Sequence, residues 1–491
     1  MDKSIKKNYF YNLIYQILIM IIPLITTPYL SRIMGAENIG IYSYTYSVVT
    51  YFILFGSLGI STYARREIAY VQDDVKKRTK VFYEIFILKT ITLLISIFIY
   101  YFCIVRNSDY ELYYKILLLE IFANIFDISW FFQGLENFKK VVLRNTFVKI
   151  LSTILIFVLV KNASDLWKYF LIYTLSTFFG NLSFWIGIKK YVCKCTDKLE
   201  IKKHIKPAIM LLLPQISIQI YTILDKVMLG SMINNKSEVG YYEQASKIVR
   251  LGLTVVTTLG VVLSTRIASI YSKGNSKEIK EKIYKSFKFV WLLGFPMMIG
   301  FIISADNFVP WFYGKGYEEV KTLIKVFSPI VIFVGMANVI GTQYLIPTLK
   351  QSKYTIAVTI SAIINVILNF ILIPKFLALG ATISSVISEL VGMLIQLYFV
   401  RKELNILRIL FSTKKYLITA IIMALIVSGV TNKLEPSITN TFIMVSLGGI
   451  IYGVILLLMK EEFVYQVLDM IKNRTSKKGV IDERKNKKDL L

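Results

Sequence analysis

What is scarce in this 491-residue chain narrows its chemistry first: it has one histidine and three cysteines, and 31 acidic residues stand against 58 basic ones. His204 leaves no room for a multi-histidine metal site. Cys193 and Cys195 in the neighbouring Lys-rich loop raise the candidate ligands only to three, where a structural zinc site takes about four. Cys103 falls in an apolar run, so the three cysteines imply no disulfide framework. No G-x-x-x-x-G-K-S/T loop occurs, which excludes an ATP-driven pump within the chain itself. Long polar stretches are missing as well, leaving no room for a separate soluble domain.

What is present is hydrophobic. Apolar residues make up 55% of the chain and its mean hydropathy is +0.59, more than an ordinary soluble core would hold. A crossing helix takes about 20 apolar residues. Such runs follow one another at 9–31, 40–62, 82–105, 112–135, 142–161, 166–188, 207–232, 240–270, 286–306, 321–347, 354–374, 378–400, 415–432 and 440–459. The sequence thus predicts an all-α integral membrane protein of about 14 transmembrane helices. Lys3, Lys6 and Lys7 ahead of the first run imitate a secretory signal. With no small-residue cleavage site, and continuing through Pro23 and Pro28 to Arg32, the run reads as a retained first helix.

The net charge of +27 is arranged and not diffuse. Of the 58 basic residues, 38 fall on the side of the spans that carries both termini, 6 on the other side, and 14 within spans, several of those at span ends. The richer side is cytoplasmic by the positive-inside rule. The charge therefore marks topology in a cell membrane, and no nucleic-acid partner is expected. The basic tail 461–491, with Lys477 to Lys488, is placed to touch anionic lipid.

A shift of 200 residues lays Ile39-Gly40-Ile41-Tyr42 on Val239-Gly240-Tyr241-Tyr242, Val48-Val49 on Ile248-Val249 and Arg66 on Arg266. Pro23 answers Pro214, and Gln133 has a counterpart in Gln343. The order of the matches predicts two pseudo-symmetric six-helix lobes, 1–200 and 201–402, then an extra helix pair at 403–460. Six being even, the lobes would be related by an axis along the membrane normal, with a cleft between them.

Charged residues inside the spans cost roughly 2.5–3.5 kcal/mol each at a helix centre, so they must face protein or water. On the eighth span Glu243, Lys247, Arg250, Thr254 and Thr257 form one stripe at helical spacing. On the seventh, Gln215, Gln219, Thr222 and Lys226 form a second, and the first-lobe counterpart of the eighth span is hydroxylic, with Ser43, Ser47, Thr50 and Ser57. Two readings stay open: Glu243 and Lys247 neutralise each other while Asp225 pairs with Lys226 or Arg250 to hold the bundle, or the stripes form a cationic cavity wall for an anionic or sugar-bearing ligand. Glu120 and Asp127 on the fourth span either pair with Lys89 and Lys149 or carry a coupling proton or cation. Ser385, Glu389, Gly392 and Gln396, and likewise Asn365 with Asn369, read as interhelical contacts. The Gly56–Gly59 and Gly449–Gly453 spacings permit close helix approach.

Tyr9 through Ile33 leading to Met34-Gly35-Ala36-Glu37-Asn38-Ile39-Gly40-Ile41-Tyr42 resembles the polysaccharide-biosynthesis flippases, the Wzx-type or O-antigen transporters of the multidrug/oligosaccharidyl-lipid/polysaccharide exporter superfamily. Asp225-Lys226-Val227-Met228-Leu229-Gly230 with Val239-Gly240-Tyr241-Tyr242 and Ala245 is similar to the family's second-lobe stretch, as is Asn365 to Asn369 before Gly380-Ala381. The resemblance implies the movement of a polyprenyl-pyrophosphate-linked repeat unit to the outer leaflet of a bacterial cell membrane by alternating access. Membrane lipids and other polysaccharide-assembly proteins would be its partners. No cofactor or catalytic residue is implied, only proton or sodium coupling. Lys226, Lys247 and Arg250 would then engage phosphate or acidic sugar, with Gln215, Gln219, Ser43 and Ser47 meeting hydroxyls and Glu243 within the same wall.

Three alternatives compete. A glycan polymerase or ligase should carry a sizeable outer loop, and the longest outer segment here is about 306–321. An organic-cation exporter of the same fold should have an acidic cavity, and a peptidoglycan-precursor flippase would share the fold as well.

Overall fold

In the computed structural model every regular element among the described residues is helical. The structure describes residues 3–195, 197–431, 434–461 and 464–465, with the side chains of 3–14, 16, 17, 213–222, 259, 261 and 262 left out. In chain order the α-helices are α1 (Lys3–Gly56), α2 (Ile60–Tyr70), α3 (Val75–Cys103), α4 (Glu111–Ile125), α5 (Ser129–Gly134), α6 (Phe138–Leu159), α7 (Leu166–Ser183) and α8 (Ile205–Met232). They continue as α9 (Ser237–Thr257), α10 (Leu259–Tyr271), α11 (Ser276–Tyr313), α12 (Glu318–Phe327), α13 (Ile330–Ile340), α14 (Gln351–Val400), α15 (Ile406–Phe411), α16 (Lys414–Thr431) and α17 (Ile438–Leu458).

The helices α1 and α14 have 54 and 50 residues. At about 1.5 Å per residue each is more than twice the roughly 30 Å hydrocarbon layer. Both break in the middle, α1 at Gly35 (φ 73°) and α14 at Leu377 (φ 54°), just after Pro374. Gly35 takes that conformation without a Cβ penalty. Ten helical stretches among the described residues are long and apolar enough to cross a membrane. The two double-length ones count twice, and α8 and α9–α10 lie where the sequence placed its two other spans, in agreement with the fold of about fourteen spans read from the sequence.

One compact unit comprises Met1–Gln244, Tyr313–Val320 and Val358–Ser385. Its core includes Phe82, Trp130, Phe131, Phe132 and Phe184, all buried. Beside them Glu84, fully buried, meets His204 Nε2 at 2.8 Å and accepts from the Glu200 amide at 2.7 Å, while His204 Nδ1 lies 2.6 Å from the Tyr63 hydroxyl. The single histidine is thus a buried clasp that pins the segment before α8 to α2 and α3. On α6, by contrast, Leu143, Phe147, Leu151, Ile154 and Val158 are exposed. An exposed face made of large apolar side chains fits lipid.

The other unit comprises Ala245–Phe312, Lys321–Ala357 and Val386–Leu491. Within it α16 and α17 pack as a pair held to α11: Trp311 Nε1 donates to Thr441 Oγ1 at 2.6 Å, which in turn donates to Asn307 Oδ1 at 2.7 Å. Between α14 and α15, Glu403 accepts from Lys350 Nζ and the Tyr344 hydroxyl, with Lys353 at 4.0 Å. Burial opposes its charge, but these donors hold the carboxyl below its usual range. The units do not follow the repeat register, so the two six-helix lobes stay an inference from sequence.

Of the two glycine spacings, one brings helices close. A Cβ on Gly56 would meet Leu93 at 2.9 Å and one on Gly59 the Leu212 amide at 2.7 Å. At Gly449 and Gly453 no atom lies within 4 Å, so the close approach expected there does not occur.

Candidate functional site

Asp225 and Lys226 are consecutive on α8, so their side chains diverge by about 100° around the helix. Asp225 turns into protein and is 1% exposed. Its Oδ2 accepts from the Tyr242 hydroxyl at 2.6 Å and from Ser385 Oγ, and its Oδ1 accepts from Asn369 Nδ2 at 2.6 Å. Asn369 Nδ2 also reaches Asn365 Oδ1 at 3.3 Å, while Asn369 Oδ1 and Asn365 Nδ2 have no hydrogen-bond partner. The expected pairing of Asp225 with Lys226 or Arg250 is replaced by a cage of neutral donors from α9 and α14.

Lys226 turns the other way. Its Nζ forms an ion pair with Glu243 Oε2 at 3.1 Å, with the two side chains 19% and 27% exposed. Ser43 Oγ donates to the same Glu243 oxygen at 3.2 Å. The structure therefore brings together Lys226, Glu243 and Ser43 from α8, α9 and α1. Ser47, 1% exposed, spends its hydroxyl on the Ser43 carbonyl at 2.6 Å and offers no free group. Further along α9, Lys247 and Arg250 belong to the second unit and are half-buried, with the Arg250 guanidinium 6.0 Å from the centre of the Phe327 ring. The side chains of Gln215, Gln219 and Thr222 lie outside the described residues.

The first-lobe acids do not pair as expected. Glu120 is 4% exposed, and its Oε2 has no hydrogen-bond partner. Lys89 Nζ reaches the backbone carbonyl of Asp127 at 2.8 Å instead of a carboxylate. Asp127 Oδ1 accepts from the Ser129 amide at 2.9 Å, a turn-forming role at the start of α5. Tyr242 was singled out by the sequence only as a repeat marker, so its part in the Asp225 cage is new. Its position one turn below Glu238 gave no sign of a partner 17 residues earlier.

In the outer loop predicted between α8 and α9, Lys236 is only 8% exposed. Its Nζ donates to the Gly230 carbonyl at 2.6 Å and sits 5.2 Å from the centre of the Tyr44 ring. Burial lowers its pKa, which Asp109 partly opposes. The exposed neighbour Asn234 is the better position for probing that loop from outside.

No group of three or more His, Cys, Asp or Glu residues among the described residues is arranged to hold a metal ion.

The family profile for polysaccharide biosynthesis proteins matches residues 5–270, and that for the lipid II flippase MurJ matches residues 138–452. A protein of Escherichia coli (strain K12) described as an O-antigen transporter is 23% identical over 349 residues, 70% of this chain and 84% of that protein. Among solved structures, a lipid II flippase MurJ in an inward closed conformation superposes with a TM-score of 0.75 at 17% identity, covering 93% of this chain and all of that one. An inward-facing multidrug resistance MATE family transporter gives 0.60 at 13% identity, covering 80% of this chain and 96% of that one. Each profile spans more than half of the sequence and the relatives are transporters, not enzymes. The chain belongs to the polysaccharide biosynthesis protein family, and is a Wzx-type flippase of the multidrug/oligosaccharidyl-lipid/polysaccharide exporter superfamily.

Proposed function

We propose that this protein moves a polyprenyl-pyrophosphate-linked oligosaccharide repeat unit from the cytoplasmic to the outer leaflet of the bacterial cell membrane by alternating access. The observation that carries this reading is the Lys226–Glu243 ion pair, 3.1 Å long and partly exposed. A disubstituted pyrophosphate carries two negative charges spread over several acceptor oxygens and would exchange for the single carboxylate at Lys226, keeping the cation satisfied before and after binding. The polyprenyl tail would stay in lipid. Lys247 and Arg250 extend the same helix face as further phosphate or sugar contacts, with Gln215, Gln219 and the Ser43 hydroxyl for the glycan. Growth of the surface glycan in cells carrying Lys226→Ala, read alongside protein abundance, tests this: normal export from a normally abundant variant refutes it.

Coupling, in this reading, falls to a cation or proton at one of three carboxylates. Asp225 is the stronger candidate, because the unpartnered Asn369 Oδ1 and Asn365 Nδ2 leave unused hydrogen-bonding capacity beside its carboxylate. Glu120 is the second, through its unpartnered Oε2. Asp127, committed to the α5 turn, is the weakest. Export that depends on neither Na⁺ nor a proton gradient would remove this part of the proposal. A peptidoglycan precursor is the second reading, favoured by the MurJ profile over 138–452. Complementation of strains lacking either kind of flippase separates the two.

A further inference from the structure

The 200-residue register recurs in space. A side-chain carbon on Gly40 would overlap the Lys236 carbonyl oxygen, and one on Gly240 would overlap that of Ala36. These two contacts are a single contact written twice, because 36 and 40 become 236 and 240 under the shift. The same Gly40 carbon would lie 3.0 Å from the amide nitrogen of Gly240, its own counterpart. One turn on, Ser43 Oγ donates at 3.2 Å to Glu243, again exactly 200 residues away. Flanking these, the Tyr44 ring covers Gly230, and Gln244 Nε2 donates to Ser31 Oγ at 3.0 Å, reciprocal contacts to within one residue.

Contacts that interchange under a repeat are isologous, and an element touching its own counterpart must lie on the two-fold axis relating the copies. That axis therefore runs between Gly40 and Gly240 and between Ser43 and Glu243. Both glycines directly follow segments that the charge pattern places outside. We propose that this self-complementary glycine seam is the outer gate of the translocation path: α1 and α9 close it by backbone-to-backbone contact on the pseudo-two-fold axis, and it must part on both sides at once. The proposal rests on the flippase reading for its path and topology, while its geometry comes from the contacts alone.

The chemistry suits a gate. Glycine-to-carbonyl packing holds by close contact and weak Cα–H···O attraction, so little must be broken on opening. Just beneath it Ser43 donates to Glu243, and Glu243 is also the partner of Lys226. An anionic ligand that takes Lys226 away from Glu243 would reach the seam through that one carboxylate.

The test reads accessibility rather than glycan. In a background with Cys103, Cys193 and Cys195 replaced by serine, a Ser43→Cys reporter is labelled from outside intact cells with a membrane-impermeant maleimide. Gly40→Leu and Gly240→Leu should each wedge the seam and raise the labelling rate about tenfold or more, a one-decade shift in a two-state equilibrium. Gly449→Leu, facing open space, should not. In a second arm, Ser31→Cys with Gln244→Cys, in the same cysteine-replaced background with both glycines intact, should cross-link with a short bifunctional methanethiosulfonate, and the disulfide-bonded link should abolish export until reduced. This arm does not depend on the glycine variants folding. Unchanged labelling in both abundant glycine variants, or export undiminished in the cross-linked protein, would overturn the gate. Should the glycan reading fail, the labelling results would still stand or fall by themselves.

Discussion

Asp225 and Lys226 are neighbours in sequence and opposites in setting. Asp225 is 1% exposed and held by three neutral donors, whereas Lys226 and Glu243 form a pair with side chains 19% and 27% exposed. A buried carboxylate with that many donors is part of the bundle's architecture, and removing it strands the donors in a dry interior. A partly exposed ion pair adds little net stability, about 0–1 kcal/mol where solvent screens it, and can be exchanged for a ligand. On the proposed function, adjacent residues would carry a structural and coupling role on one face of α8 and a ligand role on the other.

The largest effect expected from this contrast is on transport. Lys226→Ala should leave abundance unchanged and lower surface glycan by roughly two orders of magnitude, the scale of losing a charge-assisted phosphate contact of about 3 kcal/mol. Next, Asp225→Ala should cost about 2–4 kcal/mol by stranding Tyr242, Ser385 and Asn369, seen as a fall in folded protein in detergent. Asp225→Asn, which keeps the shape, should retain more protein and still lose export. If Asp225→Ala is abundant and Lys226→Ala is not, the contrast is inverted. Of intermediate size, Glu84→Ala should cost about 2 kcal/mol by leaving the buried His204 ring, and with it the Glu200 amide, without their partner, lowering thermal stability without touching the path.

The Arg250→Ala, Lys247→Ala double variant sharpens the ligand side. Export should fall with abundance retained, and Arg250→Lys should be partly active if charge alone matters, poorly active if a planar bidentate fork on phosphate is needed. The smallest effect concerns Glu403. Its folded pKa is depressed by Lys350, Tyr344 and Lys353. Its contribution is therefore present above the unfolded carboxyl pKa and is lost as pH falls through the lower, folded value. Glu403→Gln should flatten the acid limb of the melting temperature profile by a degree or two at most, an effect of about 1 kcal/mol.

The fold was legible because its signal is additive: each run of about 20 apolar residues is a crossing on its own, and loop charges check the phase. The site was legible only as faces. Spacing put Lys226 and Glu243 on polar stripes, but local i,i+4 logic did not reach from one helix to another, and the structure pairs Glu243 with Lys226 on α8. The Asp225 cage draws on Ser385, 160 residues away, and no helical period reports on such a contact. Glu120 and Lys89 sat at plausible depths for pairing, yet Lys89 went to a backbone carbonyl, an acceptor that sequence patterns do not display.

The most direct measurement is surface glycan per folded molecule for Lys226→Ala beside the unaltered protein, in cells that depend on this chain for export. The account predicts an inserted, normally abundant variant with glycan retained on the cytoplasmic side. Glycan at the unaltered level on the outer surface would contradict it.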